Sequence, residues 1–215
     1  LSQRVEDAIS TQYSNDIWAI SAEGKTKKFI DGNWHGSLDY LEPDAQYWLS
    51  THHSSTFSFN FPNENPSNYV GTAYRSVVPE LFIFNQSSLQ AFYFIVEADI
   101  ADSSLVVGED WIGAFYGDVC IGARAWDGMY TDIPIMGYDA DVPETNDYIV
   151  GGEYPRFVIY DASEDIYFDT IVNNNQPFDG SVISFEIIDN ISVKIDCSGN
   201  LGVSEGNSYM DDCGV

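Results

Sequence analysis

Apolar and polar residues change their period once along this chain. At the start, Leu1, Val5, Ala8, Ile9 and Tyr13 recur at helical spacing, with Ser2 standing where an N-cap would. That pattern predicts one short helix over 1–13. From Ile17 onward the period is two, which predicts strands. IWAISAE and KTKKFID are joined at Gly24, Asp31-Gly32 supplies a second turn, and QYWLS and FSFNF continue the series.

The stretch NFPNENPSNYVG gathers Asn, Pro and Ser with little periodicity, as a linker does. Beyond it, strands recur at the spacing of a sandwich: LFIFNQ, LQAFYFIVEADI, WIGAFYG, VCIGARAW, IPIMGY, RFVIYD, IYFDTIV, VISFEIID and SVKID. Gly117-Asp118, Asp127-Gly128 and Asp179-Gly180 supply turn residues between them. The expected architecture is all-β: an antiparallel sandwich of immunoglobulin-like or jelly-roll type, preceded by a small β module with a short N-terminal helix. The expected divisions are 1–62 for the small module, 63–80 for the linker, 81–195 for the sandwich and 196–215 for a tail lying outside it.

Charge narrows the partners. The chain carries 34 Asp+Glu against 8 Lys+Arg, a formal net charge of −26. Nucleic acid needs a basic footprint, and an anionic bilayer would repel this surface, so neither is an expected partner. No run approaches the roughly 18 apolar residues of a spanning helix, so membrane insertion is not expected either. With 44% hydrophobic and 15% aromatic residues the chain has enough apolar surface to build a core, which argues against disorder. The first residue is Leu, which reads as a processed or excised boundary, and the ending at Gly-Val after Cys213 suggests that the polypeptide continues.

Of the three cysteines, Cys197 and Cys213 sit in the small, polar, acidic tail and are the expected disulfide, whose loop closure would contribute about 3 kcal/mol. Cys120 lies in an alternating strand and reads as a buried small hydrophobe.

Three stretches carry a resemblance. GNWHGSLDYLEPDAQYWLS (32–50) resembles a G-x-W-x-G-S-L-x-x-L-x-P-x-x-x-Y-W repeat module of large surface and secreted proteins of marine and gliding bacteria. DWIGAFYGDVCIGARAW (110–126) is similar to a sandwich module with a D-x-I-G-A-F-x-G-x-x-C-x-G core, a non-catalytic passenger of adhesins and secreted hydrolases. The tail, with D-C-S-G at 196–199 and D-D-C-G-V at 211–215, resembles Cys-Gly-Asp repeats of the same proteins. The resemblance implies a secreted or cell-surface location and tandem β architecture, and it names no substrate.

Candidate chemistry is sparse. The loop YDADVPETND offers Asp139, Asp141, Glu144 and Asp147, oxygen donors of the kind calcium takes, although the EF-hand spacing is missing. YDASEDIYFD, with Asp161, Glu164, Asp165 and Asp169, reads as a solvated hairpin end. Trp126 and Tyr130 flank a turn and are the candidate ligand-facing aromatics for a glycan, weighed against a place in the sandwich wall. Trp18, Trp34 and Trp48 read as core. His35 and His52-His53 fall in turns outside any H-E-x-x-H pattern, and no G-x-S-x-G elbow occurs. The expected function is a non-catalytic extracellular scaffold or adhesion module, one that assembles into a filament or coat with neighbouring copies or domains of a larger surface protein. The alternatives are a carbohydrate-binding passenger of a secreted hydrolase and a polysaccharide-active enzyme.

Overall fold

The computed structural model describes residues 2–9, 16–52, 77–193 and 201–202. The chain divides into two compact units, Leu1–Tyr74 and Arg75–Val215, at a point inside the stretch 63–80.

In the smaller unit the first helix is a single turn, α1 (Val5–Ala8), following a short strand β1 (Gln3–Arg4). The predicted cap at Ser2 is not formed: Arg4 holds the N-cap position, and Gln3 and Arg4 pair instead with β5 (Tyr40–Leu41). Backbone pairing thus replaces the helical start that periodicity suggested; the far end of that prediction, from 10 onward, lies outside the described residues until Asp16. β2 (Ile17–Ala22), β3 (Lys25–Ile30), β4 (Asn33–His35) and β6 (Trp48–Thr51) form an antiparallel sheet in the order β4-β3-β2-β6. Its two tight hairpins are made by residue pairs with positive φ, Glu23-Gly24 (45° and 71°) and Asp31-Gly32 (49° and 87°), the geometry that matches strand twist. Val5, Ile9, Ile17, Ile20 and Leu38 form its core. The predicted strand FSFNF lies outside the described residues.

The larger unit holds β7 (Gln90–Ile100), β8 (Ser103–Ser104), β9 (Trp111–Tyr116), β10 (Val119–Ala125), β11 (Thr131–Met136), β12 (Arg156–Asp161), β13 (Ile166–Asn173) and β14 (Ile183–Val193). Their pairing follows one path, β10-β9-β12-β13-β14-β7-β11, with the short β8 on β7. β13 turns the corner of the sandwich, pairing its first half with β12 (Asp169 opposite Val158) and its second half with β14 (Thr170 opposite Val193). One pair departs from the antiparallel expectation: β14 and β7, the longest strands, run parallel with Phe185 beside Phe92. A parallel pair cannot be joined by a hairpin, so partners far apart in sequence are what this register requires.

Between the layers lies the main core, with Tyr93, Ile95, Ile112, Ile121, Ile133, Phe157 and Ile188 all fully buried. Alternation along β9 and β12 sends Trp111, Phe115 and Val158 to the opposite face, where they join Cys120 in a second cluster. That face is covered by a segment read as the strand LFIFNQ. It is instead a 3-10 turn, Glu80–Phe82, after Pro79. Its Phe82 is fully buried over Gly113, where an added Cβ would stand 2.5 Å from the ring, and makes edge-on contacts with Phe115, Tyr160 and Tyr167. A glycine's missing side chain provides the slot, and an aromatic ring fills it.

The two ends of the path, β10 and β11, are not joined by ladder pairing but come into direct contact. A bulge at Ile121 shifts the register of β10, and a Cβ at Gly122 would fall 1.6 Å from the carbonyl oxygen of Pro134. Part of the tail also touches this unit: Leu201 packs on the main core, and the Asp169 N–H donates to the Gly202 carbonyl at 3.0 Å. Cys197 and Cys213, the expected disulfide, lie outside the described residues.

Candidate functional site

The acidic loop after β11 is built around one aspartate. Asp139 is buried, and its Oδ2 accepts from both the hydroxyl and the main-chain N–H of Ser88, while Oδ1 accepts from the Asp141 N–H at 2.9 Å. Thr145, at the end of the turn Pro143–Thr145, returns the tie: its hydroxyl meets the Asp139 N–H and the carbonyls of Asp139 and Val142. The Ser88 hydroxyl first, then the Asp141 amide, hold the Asp139 carboxyl below its ordinary range, against the opposing effect of burial. Asp141, Glu144 and Asp147 are exposed on the same loop. Among the described residues no three His, Cys, Asp or Glu side chains gather closely enough to hold a metal ion.

Two other buried acids do similar work. Asp110 accepts from the Val106 N–H at 2.6 Å and the Ala162 N–H at 3.0 Å, fastening the loops on either side of β9 and β12. Asp132 is met by Arg124 across the β10–β11 contact. In the second acidic loop, Asp161 Oδ1 caps the N–H groups of Ser163 and Glu164, and Asp165 accepts from the Tyr160 hydroxyl at 2.8 Å. That bond, with burial behind it, pushes the Tyr160 phenol up to about 12.

The candidate aromatics separate. Trp126 is 5% exposed and belongs to the main core, so its ring is part of the sandwich wall and does not present a stacking face. The reason is that its N–H and carbonyl pair with Asp110 and Gly108, which draws the side chain inward. Tyr130 is half-buried with φ 66°. Trp48, read as core, is 45% exposed on the outer strand β6, while Trp18 and Trp34 are half-buried. Sequence reading missed the exposed rings of Tyr138 and Tyr154, which lie in loops where alternation gives no signal.

Among the described residues, neither His35 nor His52 belongs to a group of three His, Cys, Asp or Glu side chains that could hold a metal ion. His52 stacks on Trp18 at 6.1 Å between centroids. Burial, then the charge of Lys27, lowers the His35 pKa, with Asp31 opposing. His53 lies outside the described residues. Cys120 is a free, buried thiol raised to about 11 by burial.

Two hollows remain. One, of about 320 Å³, lies in the smaller unit beside Lys25, Asp39, Glu42 and Tyr47. The other, of about 570 Å³, lies in the larger unit between the end of β7 and the β10–β11 connection.

Comparison with protein-family models, with curated proteins and with solved structures finds no match to this chain. The class is therefore defined by fold alone: a two-unit, mostly β protein with a sandwich-like larger unit.

Proposed function

We propose that this chain is a non-catalytic scaffold or adhesion module of a secreted or cell-surface protein, which works by presenting rigid loops to neighbouring copies or domains. One observation carries the reading. Among the described residues of the larger unit, the buried carboxylates of Asp110, Asp132 and Asp139 are each spent on holding the fold together. A general acid or nucleophile needs a carboxylate facing substrate, whereas these face main-chain N–H groups, a serine and a guanidinium. Loops pinned in this way lose little further entropy on binding, which favours a contact surface.

Sedimentation velocity of the purified chain across a concentration series, with and without calcium, tests it. Association that grows with concentration supports the reading. A monomer under every condition, or turnover of a polysaccharide abolished by changing a single acid, would overturn it.

The exposed rings of Tyr154 and Tyr138 favour a second reading, a carbohydrate-binding passenger, because sugar faces stack on solvent-facing aromatics. A glycan array without hits would remove that reading and leave the first.

A further inference from the structure

In the smaller unit, segment 3–9 is held in a seat built from residues later in the chain. Gln3 and Arg4 pair antiparallel with Leu41 and Tyr40, and the Val5 N–H donates to the Asp39 carbonyl at 2.9 Å. Val5, Ala8 and Ile9 are buried, and Val5 and Ile9 share a cluster with Ile17, Ile20 and Leu38. Glu6 reaches the buried amine of Lys27 at 3.5 Å, and the same amine donates to Asp39 Oδ1 at 2.6 Å and to the Gly36 carbonyl at 3.1 Å. Lys27 shares β3 with Lys25 and Lys28, a concentration of positive charge in a chain with 8 Lys+Arg in all, while the segment carries Glu6 and Asp7.

The seat imposes the form of the segment. Spacing over 1–13 predicts a helix opening at Ser2, yet Gln3 and Arg4 are a strand and the turn that follows is Val5–Ala8. A segment whose own pattern favours one form while its surroundings hold it in another has a competing state to leave for. Its contacts are those of strand addition, in which main-chain bonds run along one strand and apolar anchors set specificity. Residues 10–15 are its covalent link to β2. The same segment from another copy would make every one of these contacts, so exchange keeps the fold and changes only the connection.

We propose that segment 3–9 is an exchangeable strand that seats in the smaller unit of a second copy of this chain and so joins the two. Val5 and Ile9 fill the apolar seat, Gln3 and Arg4 add to β5, and Glu6 meets Lys27 of the receiving copy. The proposal rests on the reading of the chain as an assembling scaffold and names the contact between copies. The two fail separately: copies that associate without this exchange keep the scaffold and remove the seat.

The test mixes two variants of the full chain, one with Arg4→Cys and one with Tyr40→Cys, each also carrying Cys120→Ala/Cys197→Ser/Cys213→Ser. The hydrogen bond from Val5 to Asp39 makes Arg4 and Tyr40 a non-bonded cross-strand pair, with Cα atoms about 4.5 Å apart and within disulfide reach. Neither variant can link positions 4 and 40 within its own chain. Incubated together under mild oxidation, they are expected to give a dimer linked between position 4 of one copy and position 40 of the other, identified by peptide mass spectrometry, in a yield that rises with concentration. Asp7→Cys in place of Arg4→Cys sets a thiol at an exposed position of the same segment, and its link to position 40 should form roughly tenfold less. Equal yields would mean chance collision and would overturn the exchange, as would absence of the 4–40 link at every concentration. Val5→Asp/Ile9→Asp added to the Arg4→Cys chain removes the anchors and should abolish the link. Should that chain fold poorly, Glu6→Lys decides: it keeps the anchors, opposes Lys27 and should lower the yield roughly threefold, and an unchanged yield overturns the proposal.

Discussion

Arg124 on β10 closes over Asp132 on β11: its Nε donates to the Asp132 carbonyl at 3.1 Å and a terminal nitrogen reaches the carboxylate at 3.4 Å. The contact falls where the two ends of the strand path meet without ladder pairing, and Asp132 is 2% exposed. A carboxylate so removed from water depends on such partners, and the pair fastens the sandwich where main-chain hydrogen bonds do not.

Breaking this pair from one side should be costly. Arg124→Met is expected to destabilise the chain by about 3 kcal/mol, because a buried negative charge loses a partner. Arg124→Met with Asp132→Leu should cost clearly less than the two single changes added together. Urea unfolding of the four proteins in a double-mutant cycle measures the coupling.

A methyl group at the seam should do as much damage without touching charge. Gly122→Ala would place Cβ against the Pro134 carbonyl, which is backbone and cannot rotate away, so we expect a loss of about 4 kcal/mol or failure to fold. Gly113→Ala meets the Phe82 side chain and should cost less, about 2 kcal/mol. Thermal unfolding of both variants ranks them.

Phe82 seals the cluster that contains Cys120. Phe82→Ala should cost about 3 kcal/mol by leaving a cavity, and it should speed labelling of Cys120 by a thiol reagent at pH 8 roughly a hundredfold, since opening of the cover limits access. Unchanged labelling at reduced stability would mean that the thiol is reached by another route.

Alkaline pH should destabilise the fold through the same thiol. Burial raises Cys120 from 9.0 to about 11, so the folded chain holds the proton longer than the unfolded one. The native state binds more protons in that window, and stability falls as pH rises through it. Cys120→Ala should flatten the slope between pH 9 and 11 by about 2 kcal/mol in total, read from urea midpoints at each pH.

The Asp139 loop answers at the acid end. With its carboxyl held below 3.8, its stabilising contribution is complete above that value and is lost as pH falls through the lowered folded value. Ser88→Ala removes the largest cause, so the Asp139 carboxyl should titrate closer to 3.8 in an NMR pH series. An unshifted titration would place the cause elsewhere.

Turn chemistry and alternation are local, and they were legible. Gly24 and Asp31-Gly32 stand between strands and take positive φ, as their residue types suggest, and the apolar runs from Ala91 to Ile95 and from Ile112 to Phe115 are buried strands. The site was far less legible. Trp126 flanks a turn and looked free to face a ligand, yet its main chain is bonded to residues preceding β9, and only that long-range pairing draws it into the core.

By itself, then, the order of residues determined that the chain makes β structure, where it turns, and that it is strongly acidic, because propensity, pattern and charge each act over a few neighbours. The parallel pairing of β7 with β14, the seating of Phe82 over Gly113 and the meeting of β10 with β11 were decided by tertiary structure. Each joins segments distant in sequence, where the choice of partner depends on packing of the whole core and leaves no periodic trace along the chain.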